Sequence, residues 1–349
     1  MSSTNINKKK FIFYSIYDID FILNFLLIYK RKKVLSNKEI TLLLDNKKSH
    51  FKKYEISDLL LLTACECGDE TIVKYLIRKG ENIRRGNING ETPLIVACRN
   101  GYEQIVSYLI NQGADVNDGV WEGDTPLIAA CKSGKESIVK YLIAKGADLD
   151  QDNKDAYTPL NAACEYGHIN VVKYLIDYGE DINKGNRFNE TPLMVACEYG
   201  NEEIVRYLVE RGADINKEKW SKATPIMVAC RNDHETVVQY LIEQGADVNK
   251  VDKNDNTLLL LSCEKGHENV INYLIDHGVD IHKGNSDGDT PLSLACKNCH
   301  LDIVKRLIEH GASVKSKDGN GNTPLVIARQ NGKEEIAKYL IDQEGGCQP

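Results

Sequence analysis

The sequence predicts an all-α protein, a solenoid of about nine helix-turn-helix units of 33 residues with hairpin fingers between them. Two observations predict this fold. A Thr-Pro pair recurs at a period of 33 residues, and a segment of the Gly-Ala-Asp type closes most units at the same period. No insertion breaks the register. The units begin at Leu59, Thr92, Thr125, Thr158, Thr191, Thr224, Thr257, Thr290 and Thr323.

Residues 191–216 illustrate how one unit is expected to fold. Thr191 is a good helix N-cap because its hydroxyl can accept a hydrogen bond from the first turn, and the proline after it needs no helical N–H partner. The first helix ends at Gly200, which adopts a left-handed conformation without strain. The second helix ends at Gly212, and a polar segment typical of a hairpin finger follows it. The apolar stripe of the second helix consists of Ile204, Val205, Leu208 and Val209.

One such unit cannot bury its apolar stripe alone, so the units must stack on one another. The period, the Thr-Pro-Leu start and the Gly-Ala-Asp close resemble the ankyrin repeat family over about five sixths of the chain. The resemblance implies an ankyrin-type solenoid that binds a protein or peptide on its concave face. The family's histidine after Thr-Pro-Leu is absent from every unit, so the hydrogen bonds that it makes between units are not assured. Asp233 occupies the position of a capping glycine, which predicts local strain.

Three segments are expected along the chain: an N-terminal helical cap over residues 1–55, the ankyrin repeat solenoid over 56–342 and a disordered tail over 343–349. Residues 1–55 contain 12 lysines and arginines against 5 acidic residues, a net charge of +7. The rest of the chain contains 32 against 46, a net charge of −14. An acidic repeat region repels phosphate, so nucleic acid is not expected as a partner.

The stretch from Phe11 to Tyr29 is apolar and lies between two lysine-rich runs, so a membrane anchor is one interpretation. Asp18 and Asp20 oppose it, because each aspartate at the centre of a membrane helix costs about 2.5–3.5 kcal/mol. A small-residue cleavage site, as in a signal peptide, is also missing. We favour a helix whose apolar face covers the first repeat.

Eight cysteines occupy one repeat position, where a small buried residue is expected. Neighbouring units should lie about 8–10 Å apart, whereas a disulfide requires Cα atoms within about 4.4–6.8 Å. Unpaired thiols in this number favour a reducing compartment, so we expect the cytoplasm, with the nucleus as the other option. The eight residues are Cys65, Cys98, Cys131, Cys164, Cys197, Cys230, Cys263 and Cys296.

Motifs for catalysis, cofactors or metals are weak. The segment from Cys296 to His300 matches the attachment signature for c-type haem, but Cys296 is the repeat cysteine, and histidines also begin the second helix of other units. Gly134-Lys135 lacks the glycine spacing and the Ser/Thr of a phosphate-binding loop. We therefore expect no enzyme activity, no cofactor and no metal site.

The candidate binding residues lie at positions that the repeat leaves free. In ankyrin-like stacks these are the finger residues before the threonine and the two residues after the Ala-Cys pair, and both line the concave face. Exposed aromatic residues there are typical of interface hot spots. The finger lysines alternate with acidic residues and are expected to be solvated. The candidates are Trp121, Tyr157, Glu165, Tyr166, Phe188, Glu198, Tyr199 and Trp220.

Together these features predict a non-catalytic, monomeric scaffold for protein–protein interaction, whose partner the sequence does not identify. Two other functions remain open. One is a membrane-attached adaptor anchored by residues 11–29. The other is a substrate-recruiting subunit of an enzyme complex such as a ubiquitin ligase.

Overall fold

The computed structural model describes residues 56–345 except residues 88, 120–122 and 299. Within these residues the chain forms eighteen α-helices and no strand. The helices are α1 (Ile56–Glu66), α2 (Glu70–Arg78), α3 (Pro93–Arg99), α4 (Glu103–Asn111), α5 (Pro126–Ser133), α6 (Glu136–Ala144), α7 (Pro159–Glu165), α8 (Ile169–Tyr178), α9 (Pro192–Glu198), α10 (Glu202–Glu210), α11 (Pro225–Arg231), α12 (Glu235–Glu243), α13 (Leu258–Lys265), α14 (Glu268–Asp276), α15 (Pro291–Asn298), α16 (Leu301–Glu309), α17 (Pro324–Gln330) and α18 (Glu334–Gly345). The prediction of an all-α helical repeat is confirmed.

The chain divides into two compact units, at residues 1–148 and 149–349. In the described part of the first unit, α1, α3 and α5 pack in order, and so do α2, α4 and α6. In the second unit, the odd-numbered helices from α7 to α17 pack in sequence, and the even-numbered helices from α8 to α18 form a second row. Each helix pair thus covers the apolar face of the next pair in its unit.

Threonine caps begin most of the first helices of the repeats. In α9, for example, the Thr191 hydroxyl accepts a hydrogen bond from the Met194 N–H over 3.3 Å. Thr224 is the exception among the capping threonines of the described residues, because its buried hydroxyl has no hydrogen-bond partner. The repeat cysteines that follow are all 0% exposed and form free thiols.

Most of the described fingers are shaped by the side chain of one asparagine or aspartate. The Asn186 side-chain oxygen accepts hydrogen bonds from the backbone N–H groups of Phe188 and Glu190, over 2.9 and 3.0 Å. Asp252 Oδ1 accepts hydrogen bonds in the same way from the backbone N–H groups of Asn254 and Asn256. This side chain replaces a backbone turn, which explains why the polar segments fold as compact hairpins. The finger that begins at Lys219 has no such side chain and is closed by backbone hydrogen bonds.

Hydrogen bonds between neighbouring repeats are present although the family histidine is missing. The His234 ring nitrogen Nε2 lies 2.9 Å from the Glu198 carbonyl oxygen, and His267 bonds the Arg231 carbonyl at the same distance. The Asn201 amide donates to the Cys164 carbonyl over 2.6 Å. These donors begin the second helix of one repeat and reach the end of the first helix in the preceding repeat.

Left-handed backbone occurs where the sequence lacks the expected glycine. Asp233 has φ +61°, as its place at the helix end predicts. Four consecutive fingers also hold a non-glycine residue at positive φ: Ala156, Asn189, Lys222 and Asp255. The same position carries Gly288 and Gly321 in later fingers. Side chains in this conformation are strained, asparagine and aspartate least.

Several expectations fall outside the described residues: the cap over 1–55, with the possible anchor at 11–29, and the end of the tail. The last helix extends to Gly345, three residues beyond the expected end of the repeats at 342. Along the described residues, none of the helices has both the length and the apolarity needed to cross a membrane.

Candidate binding site

Seven of the eight candidate residues lie in the second unit, while Trp121 is outside the described residues. Trp220 is 77% exposed, and Tyr166, Phe188 and Tyr199 are about half exposed. Glu198 is also exposed, whereas Tyr157 and Glu165 are partly buried. We call the surface formed by Tyr166, Phe188, Glu198, Tyr199 and Trp220 the aromatic face.

One carboxylate binds two tyrosines beside this face. The Tyr157 hydroxyl donates to Glu165 Oε2 over 2.6 Å, and the Tyr199 hydroxyl donates to Glu165 Oε1 over 3.2 Å. Burial and the hydrogen bond to Glu165 raise the pKa of Tyr157. Desolvation and the charge of Glu165 raise the pKa of Tyr199 to about 12. Tyr157 and Glu165 are thus only partly exposed and are bonded to each other beside the face, and their part in binding a partner stays a prediction.

The fingers present Phe188 and Trp220 from adjacent repeats. The Trp220 backbone N–H donates to the Phe188 carbonyl over 3.2 Å, so the two fingers are joined at these residues. The Arg187 guanidinium lies 5.6 Å from the centre of the Phe188 ring and pairs with Asp155 over 2.9 Å. The backbone of both aromatic residues is thus fixed while their rings remain exposed.

An ion pair that the sequence did not indicate supports the same fingers. The Lys219 ammonium lies 2.8 Å from Glu190 Oε1, and the Asn186 amide donates to Glu190 Oε2 over 2.9 Å. Both charged side chains are less than a quarter exposed, so they are not the solvated finger residues that were expected. Partial burial raises the pKa of Glu190, but the hydrogen bonds from Lys219 and Asn186 outweigh it and leave the pKa lowered. Lys219 occupies the repeat position of Asn186. A lysine at a position where the neighbouring fingers have asparagine or aspartate is the sequence feature that could have indicated this ion pair.

Glu198 differs from the neighbouring acids. No side chain of the described residues forms a hydrogen bond or ion pair with its carboxylate, although its backbone carbonyl binds His234. Partial burial, with the charges of Glu190 and Glu165, raises the pKa of Glu198, and Lys219 opposes this. Tyr166 lies at the equivalent turn of the preceding repeat, after Glu165, and its ring is stacked 6.5 Å from the ring of His168.

The repeat cysteines offer no chemistry to the surface. Burial raises the pKa to about 12 for the thiols of Cys65, Cys230 and Cys296, and it also raises the pKa values of Cys98, Cys164, Cys197 and Cys263. A buried thiol with a raised pKa is a poor nucleophile and a poor metal ligand. Cys299 of the haem-like motif is outside the described residues. No group of three or more potential metal ligands is found in the described part of the chain.

The repeat pattern matches a family model that consists of three ankyrin repeats. Its overlapping matches extend from residue 35 to residue 349. They cover residues 35–120, 60–153, 127–219, 178–252, 217–285 and 259–349. No curated protein sequence matches the chain.

Proposed function

Because the chain belongs to the ankyrin repeat family, whose repeats mediate protein–protein interactions, we propose that it is a non-catalytic scaffold that binds a protein or peptide through the aromatic face. The main support is the exposure of the face. Of the seven large apolar side chains that are exposed in the described residues, four belong to it. Large aromatic side chains dominate the energy of protein interfaces. Exposed as a group, they indicate an interaction surface.

The support beneath the face favours tight binding. Glu165 holds Tyr199 from the preceding repeat, and backbone hydrogen bonds join the Phe188 and Trp220 fingers. Binding to a preorganised surface loses less conformational entropy than binding to mobile loops. Phe188, Tyr199 and Trp220 would therefore keep most of the energy gained by contact with a partner.

Two finer features belong to the same proposal. The face corresponds to the concave side of the family's stacks, and Trp121, which occupies the repeat position of Trp220, would be a binding residue in its own right. The protein would work in a reducing compartment, with the cytoplasm first, because its core is lined with free cysteines.

The test begins with affinity capture on the full chain and identification of bound proteins by mass spectrometry. The dissociation constant of a captured partner is then measured for Phe188→Ala and Trp220→Ala. We expect each substitution to weaken binding about thirtyfold, the effect of losing roughly 2 kcal/mol at a hot spot. Trp121→Ala tests in the same assay whether Trp121 contributes to binding.

Tyr178→Ala is the matched control, because Tyr178 is 55% exposed at the end of α8 and is not part of the face. It should leave affinity unchanged, and all variants should keep the helical circular dichroism of the parent chain. Unchanged affinity in both face variants would reject the aromatic face as the site.

A further inference from the structure

The acids around the aromatic face differ in their partners. Glu165 accepts two tyrosine hydroxyls, Glu190 is bound by Lys219 and Asn186, and Asp155 pairs with Arg187. Glu198 is the remaining carboxylate of this group, and no described side chain forms a hydrogen bond or ion pair with it, although the more distant charge of Lys219 favours its ionised form. A carboxylate without a bonded partner favours the approach of a cation.

The aromatic residues add a second attraction for a cation. Tyr166 and Tyr199 occupy the same position of successive repeats, at the ends of α7 and α9, and each is 50% exposed. Tyr199 follows Glu198 in the chain, and its hydroxyl reaches the carboxylate of Glu165, the residue before Tyr166, so the turns that carry Tyr166 and Tyr199 lie side by side. The face of an aromatic ring attracts an ammonium or guanidinium group. A carboxylate beside two half-exposed rings therefore suits a basic side chain.

The charge of the repeats points to the same partner. Residues 56–349 carry a net charge of −14, as counted from the sequence. At the face, the cations of Lys219 and Arg187 are already paired with Glu190 and Asp155. Electrostatic complementarity then favours a positively charged segment and disfavours an acidic one.

We propose that the aromatic face recognises a basic segment of its protein partner, with one arginine or lysine bound at the Glu198 carboxylate and against the rings of Tyr166 and Tyr199. This assignment rests on the proposed function and narrows it to the chemistry of the partner. An arginine suits the site best, because its planar group can stack on a ring and bond a carboxylate at once.

The probe is a fluorescein-labelled peptide of four Gly-Ser-Arg units, added to the full chain and followed by fluorescence anisotropy. Its control contains citrulline, a neutral analogue of arginine, at each arginine position. We expect the arginine peptide to bind about tenfold more tightly than the citrulline peptide. Glu198→Gln should weaken the arginine peptide by about the same factor, which corresponds to the loss of one charge-assisted hydrogen bond.

Glu264→Gln is the matched variant. Glu264 occupies the same repeat position in α13, but Lys265 follows it where Tyr199 follows Glu198. It should change the affinity less than about twofold, as expected for an exposed charge. Tyr166→Leu keeps an apolar side chain without a π face, and should weaken the arginine peptide more than the citrulline peptide. Circular dichroism verifies that each variant is folded.

The outcomes separate this inference from the proposed function. Equal losses for Glu198→Gln and Glu264→Gln, or equal affinity for both peptides, would overturn the basic-segment proposal. If the basic-segment proposal fails but the affinity for a captured partner still depends on Phe188 and Trp220, the proposed function stands. If no partner depends on them either, both proposals fail. The parent chain could also associate with itself, and Glu198→Gln could abolish that association. This result would show that the site binds the basic residues 1–55 of a second copy, and it would overturn the proposal of a separate partner.

Discussion

The Tyr199 hydroxyl donates a hydrogen bond over 3.2 Å to Glu165, which ends the first helix of the preceding repeat. The same carboxylate accepts the Tyr157 hydroxyl over 2.6 Å. One acidic side chain thus connects a finger and the ends of α7 and α9. Removal of either hydroxyl should loosen the stack, by an amount that depends on how well the hydroxyl is shielded from water.

Tyr157→Phe should lower the free energy of unfolding by about 1–2 kcal/mol, since it removes a short, partly buried hydrogen bond to a carboxylate. Tyr199→Phe should cost about 0.5 kcal/mol, because Tyr199 is half exposed and water can replace its hydroxyl. Urea denaturation followed by circular dichroism measures both. Tyr166→Phe is the control and should have no effect, and a larger loss for Tyr199→Phe than for Tyr157→Phe would contradict this order.

A buried acid predicts a dependence of stability on pH. Glu180 stands where most repeats have alanine, and it is 8% exposed. Its Oε1 accepts the Leu160 N–H over 3.0 Å, whereas Oε2 has no partner among the described residues. Burial is the main effect and raises the pKa of Glu180 from 4.5 to about 7, against the hydrogen bonds from Leu160 and Thr158.

Because the folded chain holds the Glu180 proton up to a higher pH than the unfolded chain, the contribution of this residue to stability is greatest below pH 4.5 and is lost as the pH rises to about 7. Glu180→Gln keeps the acceptor for Leu160 but cannot ionise. It should therefore stabilise the chain by about 2–3 kcal/mol at pH 8 and have little effect near pH 4. Thermal unfolding at both pH values tests this, with Glu81→Gln, at the same position of the first repeat, as control.

The unsatisfied hydroxyl of Thr224 predicts an unusual result for a helix cap. Thr224→Val should be neutral or stabilising, because it removes a buried polar group without a partner and keeps the shape of the side chain. Thr191→Val should cost about 1 kcal/mol, since the Thr191 hydroxyl caps α9. The difference in the free energy of unfolding between the two variants is the measurement. Similar losses would indicate that Thr224 also caps its helix in solution.

The left-handed finger position predicts opposite effects for two reciprocal substitutions. Ala156 has φ +54°, so Ala156→Gly should stabilise the chain by about 1 kcal/mol by removing strain. Gly321 occupies the same repeat position with φ +81°, and an added Cβ would meet no atom within 4 Å. Gly321→Ala should therefore destabilise by about 1 kcal/mol through backbone strain alone. Differential scanning calorimetry compares the pair, and a shift of both melting temperatures in one direction would contradict the prediction.

The sequence alone predicted the repeat period, the threonine caps, the glycine ends of the helices and the buried cysteine position. These features depend on residues within a few positions of each other: Thr191 caps an N–H three residues later, and Asn186 shapes a finger four residues long. Local hydrogen bonds and apolar periodicity are sufficient to specify them. For the same reason the left-handed conformation of Asp233 could be predicted from its place at a helix end.

Only the tertiary structure decided which free positions are exposed and which are bound. The links from Tyr199 to Glu165 and from Lys219 to Glu190 join residues 34 and 29 positions apart, so they exist only when two repeats stack. Sequence reasoning therefore placed Tyr157 and Glu165 among exposed contacts and expected Lys219 to be solvated. The stacking of one repeat on the next sets the distances between these side chains, and it leaves the Glu198 carboxylate without a partner beside Tyr199.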